Sequence, residues 1–343
     1  MEEQAYYKTS GRCAAYVKVC EYRVAMRGEY GLRGEYGLRG QYGLRMGILA
    51  DPHLSPAGTR LASVLGFPSV PTEFAMYNAM VRYRRALKRC VREGADGLAL
   101  LGDLSWSGDV ESLGAGLRLA ARSAFGRAVW TVSGNHDCGE RVDAVARAVR
   151  QVGAENLRLA TPSGEVFGAG RLRVAGLCVS SENHGYTAFL DERPDVSGWG
   201  DEPVVLLSHY PMISFRERAE REGLYYGDND LENLDEVQRP LLEREAPTVV
   251  VSGHIHRRYA CAEEKVLQVS CAALYEPPYE ITLLDLEAEG ARLSVRVECI
   301  PVAPSSDDEA RLSILSPARQ RWIFDEGAWY SVEAAEPRKE TQR

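Results

Sequence analysis

The sequence predicts an α/β fold in which two packed β-sheets are flanked by helices, and three observations carry that expectation. From Met46 onward, short apolar runs alternate with amphipathic stretches, the pattern of a layered α/β domain. The second half, from about Leu172, is crowded with apolar runs of strand length. With 45% hydrophobic residues among 343, the chain can also fill a large core.

Residues 1–45 stand apart from that pattern. Gly28–Arg33, Gly34–Arg39 and Gly40–Arg45 read GEYGLR, GEYGLR and GQYGLR, and a glycine at every third position prevents a packed helix or strand face. This stretch has eight Lys or Arg against five Glu, a surplus of three, so the other 298 residues carry −11 of the net −8. The expectation is a low-complexity leader, disordered or not native, with the natural protein starting at Met46. Residues 1–45 in the intact mass of native protein would overturn it. A nucleic-acid or self-association tail is the rival reading of the tract.

The elements follow in order. Residues 46–50 form the first strand. Phe74, Tyr77, Met80, Val81, Leu87 and Val91 recur at helical spacing, which predicts a helix over about 74–93, with a strand at 97–101. Ser107 or Asp109 is placed to cap the next helix. A strand over 128–132, a helix over 141–152 and a strand over 172–179 follow. Val204–Leu207 and Thr248–Val251 read as buried strands. Lys265–Ser270, Tyr279–Leu284 and Leu293–Cys299 read as antiparallel strands completing a second sheet. The expected domain covers 46–303. Residues 304–343 form an extension, partly docked through Trp322, Ile323, Phe324, Trp329 and Tyr330.

Composition excludes several classes. A net charge of −8 argues against the broad basic surface of sequence-independent nucleic-acid binding. Eight cysteines are scattered without a CxxC pair, so neither a zinc knuckle nor a disulfide scaffold is indicated, and reduced thiols in a cytoplasm fit. There is no apolar run of about 18 residues and no signal-peptide core, so neither a membrane span nor export is expected.

The chemistry lies where the strands end. Asp51-Pro52-His53 follows the first strand, Gly102-Asp103 follows Leu98–Leu101, and Gly134-Asn135-His136-Asp137 follows Val129–Val132. His209 follows Val204–Ser208, and Gly253-His254-Ile255-His256 follows Val249–Val251. One Gly-Asp is an ordinary turn, and one histidine an ordinary surface residue. Five successive strand ends with O or N donors are not, because α/β sheets place ligands at strand carboxyl ends. Donors without thiolate suit Mn, Fe or Zn. Asp51, His53, Asp103, Asn135, His209, His254 and His256 are too many for one tetrahedral ion and enough for two, with Asp103 bridging.

This order, DxH, GD, GNHD, H and GHxH, resembles the calcineurin-like metallophosphoesterase superfamily over about 250 residues. The resemblance implies a four-layer αββα sandwich and a dinuclear metal cofactor of divalent or Fe/M(II) ions. It assigns Asp51, His53, Asp103 and His256 to one ion, and Asp103, Asn135, His209 and His254 to the other. Such a pair can clamp a phosphoryl oxygen while a bridging water, acidified toward neutrality, attacks phosphorus in line. His136, not a ligand in the family, is then the expected catalyst that stabilises charge or protonates the leaving oxygen, with Asp137 orienting it. A helix-capping Asp137 and a His136 that only buttresses its loop are the alternative roles.

Substrate contacts are expected from Asn135 and His136, and from His184 and Tyr210 at the rim, where Trp106, Tyr225 and Tyr226 are further aromatic candidates; the alternative readings are packing for the four aromatics and a solvent-facing loop position for His184. The expected function is hydrolysis of small phosphomonoesters or phosphodiesters, such as nucleotides, cyclic nucleotides or aryl phosphates. A repair-type nuclease and a non-catalytic metal-binding scaffold are the alternatives. A Ser/Thr protein phosphatase is disfavoured, because Gly102–Gly108 and Ser133–Asp137 lack the arginines of that class's extended motifs.

Overall fold

A strand whose side chains are apolar on both faces must be covered on both faces, and that requirement organises the chain. The computed structural model describes residues 43–55, 70–138, 143–167, 172–179, 189–190, 192–224, 226, 229–289 and 292–332. In chain order these form β1 (Gly43–Leu49), α1 (Val70–Arg92), β2 (Gly97–Leu100), α2 (Val110–Ser123), β3 (Ala128–Thr131), α3 (Asn135–Cys138), α4 (Ala144–Val152), β4 (Leu157–Leu159) and β5 (Glu165–Phe167). Then come β6 (Leu172–Leu177), β7 (Val204–Ser208), α5 (Arg216–Arg221), α6 (Leu234–Leu242), β8 (Thr248–Ser252), β9 (Tyr259–Glu263), β10 (Val266–Ser270), β11 (Glu280–Glu289) and β12 (Arg292–Pro301). Helix α7 (Asp307–Ala310), β13 (Arg319–Asp325) and β14 (Ala328–Val332) close the order.

Among the described residues the strands make two mixed sheets. The first runs β14-β13-β12-β11-β1-β2-β3-β4 and the second β5-β6-β7-β8-β10-β9. Strands β1 to β4 are mutually parallel, as are β6, β7, β8 and β10. Period-two alternation splits each strand between two cores. Val205, Leu207, Val249 and Val251 face the layer between the sheets, where they meet Met46, Ile48, Ala99 and Leu101. The intervening Val204, Leu206 and Val250 pack instead against Val237 and Leu241 of α6. On the other side Leu49, Leu98, Leu100 and Val129 pack under Leu87 of α1, Leu117 of α2 and Ala148 of α4. The layers are therefore helix, sheet, sheet, helix. Each buried Leu or Val contributes about 1.5–3 kcal/mol, so the strand interiors hold the scaffold firmly.

Several sequence expectations need correction. Strand β1 begins at Gly43, so three residues of the last GQYGLR repeat pair with β11. The closing strands do not all complete the second sheet. Only β9 and β10 join it, and β10 is parallel to β8, because residues 271–279 carry the chain back to lay β11 antiparallel to β1. Strands β13 and β14, with Trp322, Ile323, Phe324, Trp329 and Tyr330, continue the first sheet outward from β12. Asp109 is the residue that caps α2, its carboxylate accepting from Ser112 N at 2.7 Å. No described helix is long and apolar enough to cross a membrane.

Candidate metal centre

The parallel strands of both sheets end in loops that lock onto one another. His53 N donates to Asp103 O at 2.9 Å, Leu54 N to Leu104 O at 2.8 Å and Trp106 N to Leu54 O at 3.0 Å, so the first two loops continue as a short ladder. Within the second sheet, Gly253 N donates to His209 O at 3.0 Å, joining the loops after β7 and β8. These approaches explain the motif glycines. A Cβ on Gly134 would stand 2.2 Å from Asp103 Oδ1, and one on Gly253 would stand 2.5 Å from Asp51 Oδ2. On Gly102 it would meet Gly134 N at 2.6 Å, on a backbone already at φ 86°.

The ligand positions are themselves strained. Asp51, His53, Asp103, His254 and His256 have φ of 49°, 46°, 47°, 67° and 54°. For residues other than glycine this left-handed region costs energy, and such strain gathers where side chains must be aimed.

Two groups of donor atoms result. In one, His53 Nε2 lies 3.4 Å from His256 Nε2, which is 3.6 Å from Asp51 Oδ1, and His53 Nε2 is 3.7 Å from Asp103 Oδ2. In the other, His209 Nε2 lies 2.8 Å from Asn135 Oδ1 and 3.4 Å from Asp103 Oδ2, and His254 Nδ1 is 3.2 Å from the same Asn135 oxygen. The structure thus brings all seven expected ligands together. Asp51, Asp103, Asn135 and His209 are buried.

The donor set fits cations. His209 Nδ1 lies 2.8 Å from Leu101 O, which as an acceptor fixes the proton on Nδ1 and leaves Nε2 a lone pair facing two oxygens. His256 Nδ1 is likewise 2.7 Å from Glu276 Oε1, leaving its Nε2 bare toward His53 and Asp51. Lone pairs in such contact repel unless a proton or a metal ion lies among them. Without metal, protons take that role. Burial opposes charge on His209, but Asp103 overcomes it and raises the imidazole to about 9; Asp51 and Glu276 raise His256 to about 10 in the same way. Burial lowers His53 to about 4 and His254 to about 3, leaving both rings neutral. Asp51 and Asp103 are lowered despite burial, because His256 and His209 sit against them.

The expected partner of His136 is corrected. Asp137 does not hold its ring. The Asp137 carboxylate is fully buried and accepts from the amides of Leu104, Ser105 and Gly134 at 3.2, 2.8 and 3.1 Å, tying the loop after β2 to the loop after β3. Burial and the nearby Asp103 push Asp137 up to about 7, against those amides. The His136 ring is held by Trp106 O, 3.0 Å from Nδ1, while its backbone N–H donates to Asp103 Oδ1 at 2.9 Å.

Among the rim candidates, Trp106 is 38% exposed, with its ring 5.1 Å from that of His53 and 5.4 Å from that of His136. Tyr210 is corrected to a packing residue. It is 0% exposed, its ring centroid 3.9 Å from that of His254, and has no surface for a substrate. Tyr226 is buried with its hydroxyl on Asp230. His184 and Tyr225 lie outside the described residues.

Sequence reasoning missed the segment after β10. Tyr275 adds a ring 5.3 Å from both His53 and Trp106, and Glu276 reaches His256. Arg82 of α1 holds the segment by donating to Leu274 O at 2.7 Å and Tyr275 O at 2.9 Å, while Tyr275 N donates to Asp51 O at 3.1 Å. The available signal was positional, since β10 is a sixth parallel strand whose end reaches the site, after β1, β2, β3, β7 and β8.

A family model described as calcineurin-like phosphoesterase matches residues 44–258. No curated protein matches. Among solved structures the chain is similar to a dimetal phosphatase from Danio rerio at 12% identity and TM-score 0.49, over 76% of this chain and 99% of that one. It is similar to a purple acid phosphatase from yellow lupin at 13% identity and TM-score 0.44, over 78% and 53%. A phosphoesterase from E. coli is similar at 14% identity and TM-score 0.32, over 76% and 100%.

Proposed function

We propose that this chain, which belongs to the calcineurin-like phosphoesterase family, hydrolyses small phosphomonoesters or phosphodiesters at a dinuclear metal centre. The observation that carries this reading is the convergence of two buried carboxylates, an asparagine oxygen and bare imidazole nitrogens from both sheets on one place. Asp51, His53, Asp103 and His256 would hold one ion, and Asp103, Asn135, His209 and His254 the other. Candidate atoms of Asp51, His53 and His256 all lie within 4.8 Å of one another, as do those of Asp51, Asp103 and His209. Bound there, Mn, Fe or Zn ions would supply Lewis acidity toward a phosphoryl oxygen and lower the pKa of water toward neutrality.

The chain's own residues supply the rest. With Nδ1–H engaged by Trp106 O, His136 presents Nε2 as the atom that donates a proton to the leaving oxygen or a hydrogen bond to developing charge. Asp137 acts one step back, fixing the two loops that carry Asp103 and His136. Trp106 and Tyr275 offer an aromatic edge beside His53 and His136, suited to a base or aryl group. The substrate-facing part is residues 46–303. The described part of the expected extension, residues 304–332, buttresses it where Ser313 O accepts from Arg258 N at 2.8 Å, two residues after His256; residues 333–343 lie outside the described residues. The six cysteines among the described residues are free thiols, which supports a reducing, cytoplasmic setting.

A panel tests the proposal. Mn-loaded protein is expected to turn over p-nitrophenyl phosphate, its bis ester or cyclic AMP in preference to single-stranded DNA. Preference for the DNA would favour a repair-type nuclease. No turnover on any of them, with two metals per chain verified, would favour a scaffold.

A further inference from the structure

We propose that Glu276 is a positioning residue that fixes His256 as a metal ligand through Nε2; this rests on the metal centre proposed above. A neutral imidazole has two tautomers, and only one leaves Nε2 free for a cation. The tautomer is set by what the other nitrogen meets. Among the proposed ligand histidines, His209 is set by a backbone oxygen, Leu101 O, whereas His53 Nδ1 and His254 Nε2 are buried without a hydrogen-bond partner among the described residues. At His256 the setting group is a side chain, the Glu276 carboxylate at 2.7 Å from Nδ1. It accepts the Nδ1 proton, turns Nε2 toward Asp51 and His53, and makes that nitrogen a stronger donor.

Glu276 is built for that contact. The segment before it is pinned on both flanks, by Arg82 on the carbonyls of Leu274 and Tyr275 and by the amides of Leu274 and Tyr275 on the carbonyls of Ala50 and Asp51. The residue that reaches His256 is therefore tied to the backbone of another proposed ligand, Asp51. Its side chain is still 45% exposed, so substituting it should leave the scaffold intact.

The test titrates the full-length protein with Mn(II), and separately with Zn(II), by calorimetry. Glu276→Ala is expected to bind one of the two ions about 10–100-fold more weakly and the other as the wild type does. Glu276→Gln, whose amide oxygen still accepts from Nδ1, recovers part of that loss. Loss confined to one ion is the readout that separates the two roles, since a merely structural role would weaken both; the metal-free Glu276→Ala protein should melt only slightly below the wild type, because the lost contact with His256 is partly exposed. If Glu276→Ala binds both ions with wild-type affinity, the proposal is overturned while the metal centre stands. A wild-type chain that takes up neither metal overturns the metal centre, and this proposal with it.

Discussion

The two sheets furnish the site differently. From the first come oxygen donors, Asp51, Asp103 and Asn135, with a single imidazole, His53; from the second come imidazoles only, His209, His254 and His256. Each half is also positioned by the other. Leu101 O, at the end of β2, holds the ring of His209 from the second sheet, and the Asp51 carboxylate accepts the backbone N–H of His254 at 3.1 Å. Neither sheet carries a finished site, so changes in the two halves should couple rather than add.

Removing Asp103, the proposed shared oxygen ligand, should break this arrangement most. Asp103→Ala takes away a carboxylate that lies 3.7 Å from His53 and 3.4 Å from His209, the nearest donors of the two groups. Both ions should be lost, which elemental analysis checks, and turnover should fall to background. Chelation separates the two proteins further. Ligands present at 100 times their Kd stabilise by about 2.7 kcal/mol, roughly 5–10 °C for a domain of this size. The wild type should lose that margin in EDTA, and the Asp103→Ala variant should not respond.

Much of this was legible in the sequence, and the exceptions share one cause. The seven proposed ligands could be picked out because each comes within four residues of its strand's end, so the apolar run announces the residue. Glu276 follows β10 by six residues, and its partner is 20 residues earlier in the chain, so no local pattern reports it. The order of the sheets was hidden for the same reason, since pairing of β1 with β11 joins Met46 to Leu284. Asp137 was misassigned because adjacency in sequence suggested His136, whereas helix α3 points the two side chains at different partners. Tyr210 neighbours His209 in sequence, but its ring points into the core.

The next prediction sharpens the contrast between holding metal and using it. His136 stands among the first-sheet loops, but its ring is held by a carbonyl and not by a carboxylate. His136→Ala should retain both metals and the chelation response while kcat falls about 10²–10⁴-fold, the range for removing a positioned proton donor. Full activity in the variant would end the catalytic assignment. A variant lacking metal would make His136 a ligand.

Glycine substitutions probe the interlock itself. Gly134→Ala forces a methyl group onto Asp103 Oδ1, and overpacking of this kind costs about 1–3 kcal/mol, measurable by urea denaturation. Metal affinity should fall with it. The comparison is Gly114→Ala on α2, where the added Cβ meets only the movable end of the Arg118 side chain at 3.2 Å. That change should be neutral or stabilising by up to about 1 kcal/mol, from helix propensity. Equal destabilisation at both positions would show that Gly134 is ordinary packing.

The smallest expected effect tests whether the aromatic edge belongs to the substrate or to the protein. Trp106 contributes its carbonyl to His136 and its ring to the rim, and truncation to alanine separates the two, because the carbonyl stays. Trp106 is 38% exposed, so a planar substrate group meeting its ring would gain about 1 kcal/mol, or roughly fivefold in KM. Trp106→Ala should therefore raise KM for p-nitrophenyl phosphate several-fold and leave KM for an alkyl phosphate unchanged. Trp106→Phe should restore most of the difference. If kcat falls alike on both esters and KM does not move, the ring acts by packing against His53 and His136, and selection of the substrate must come from elsewhere on the rim.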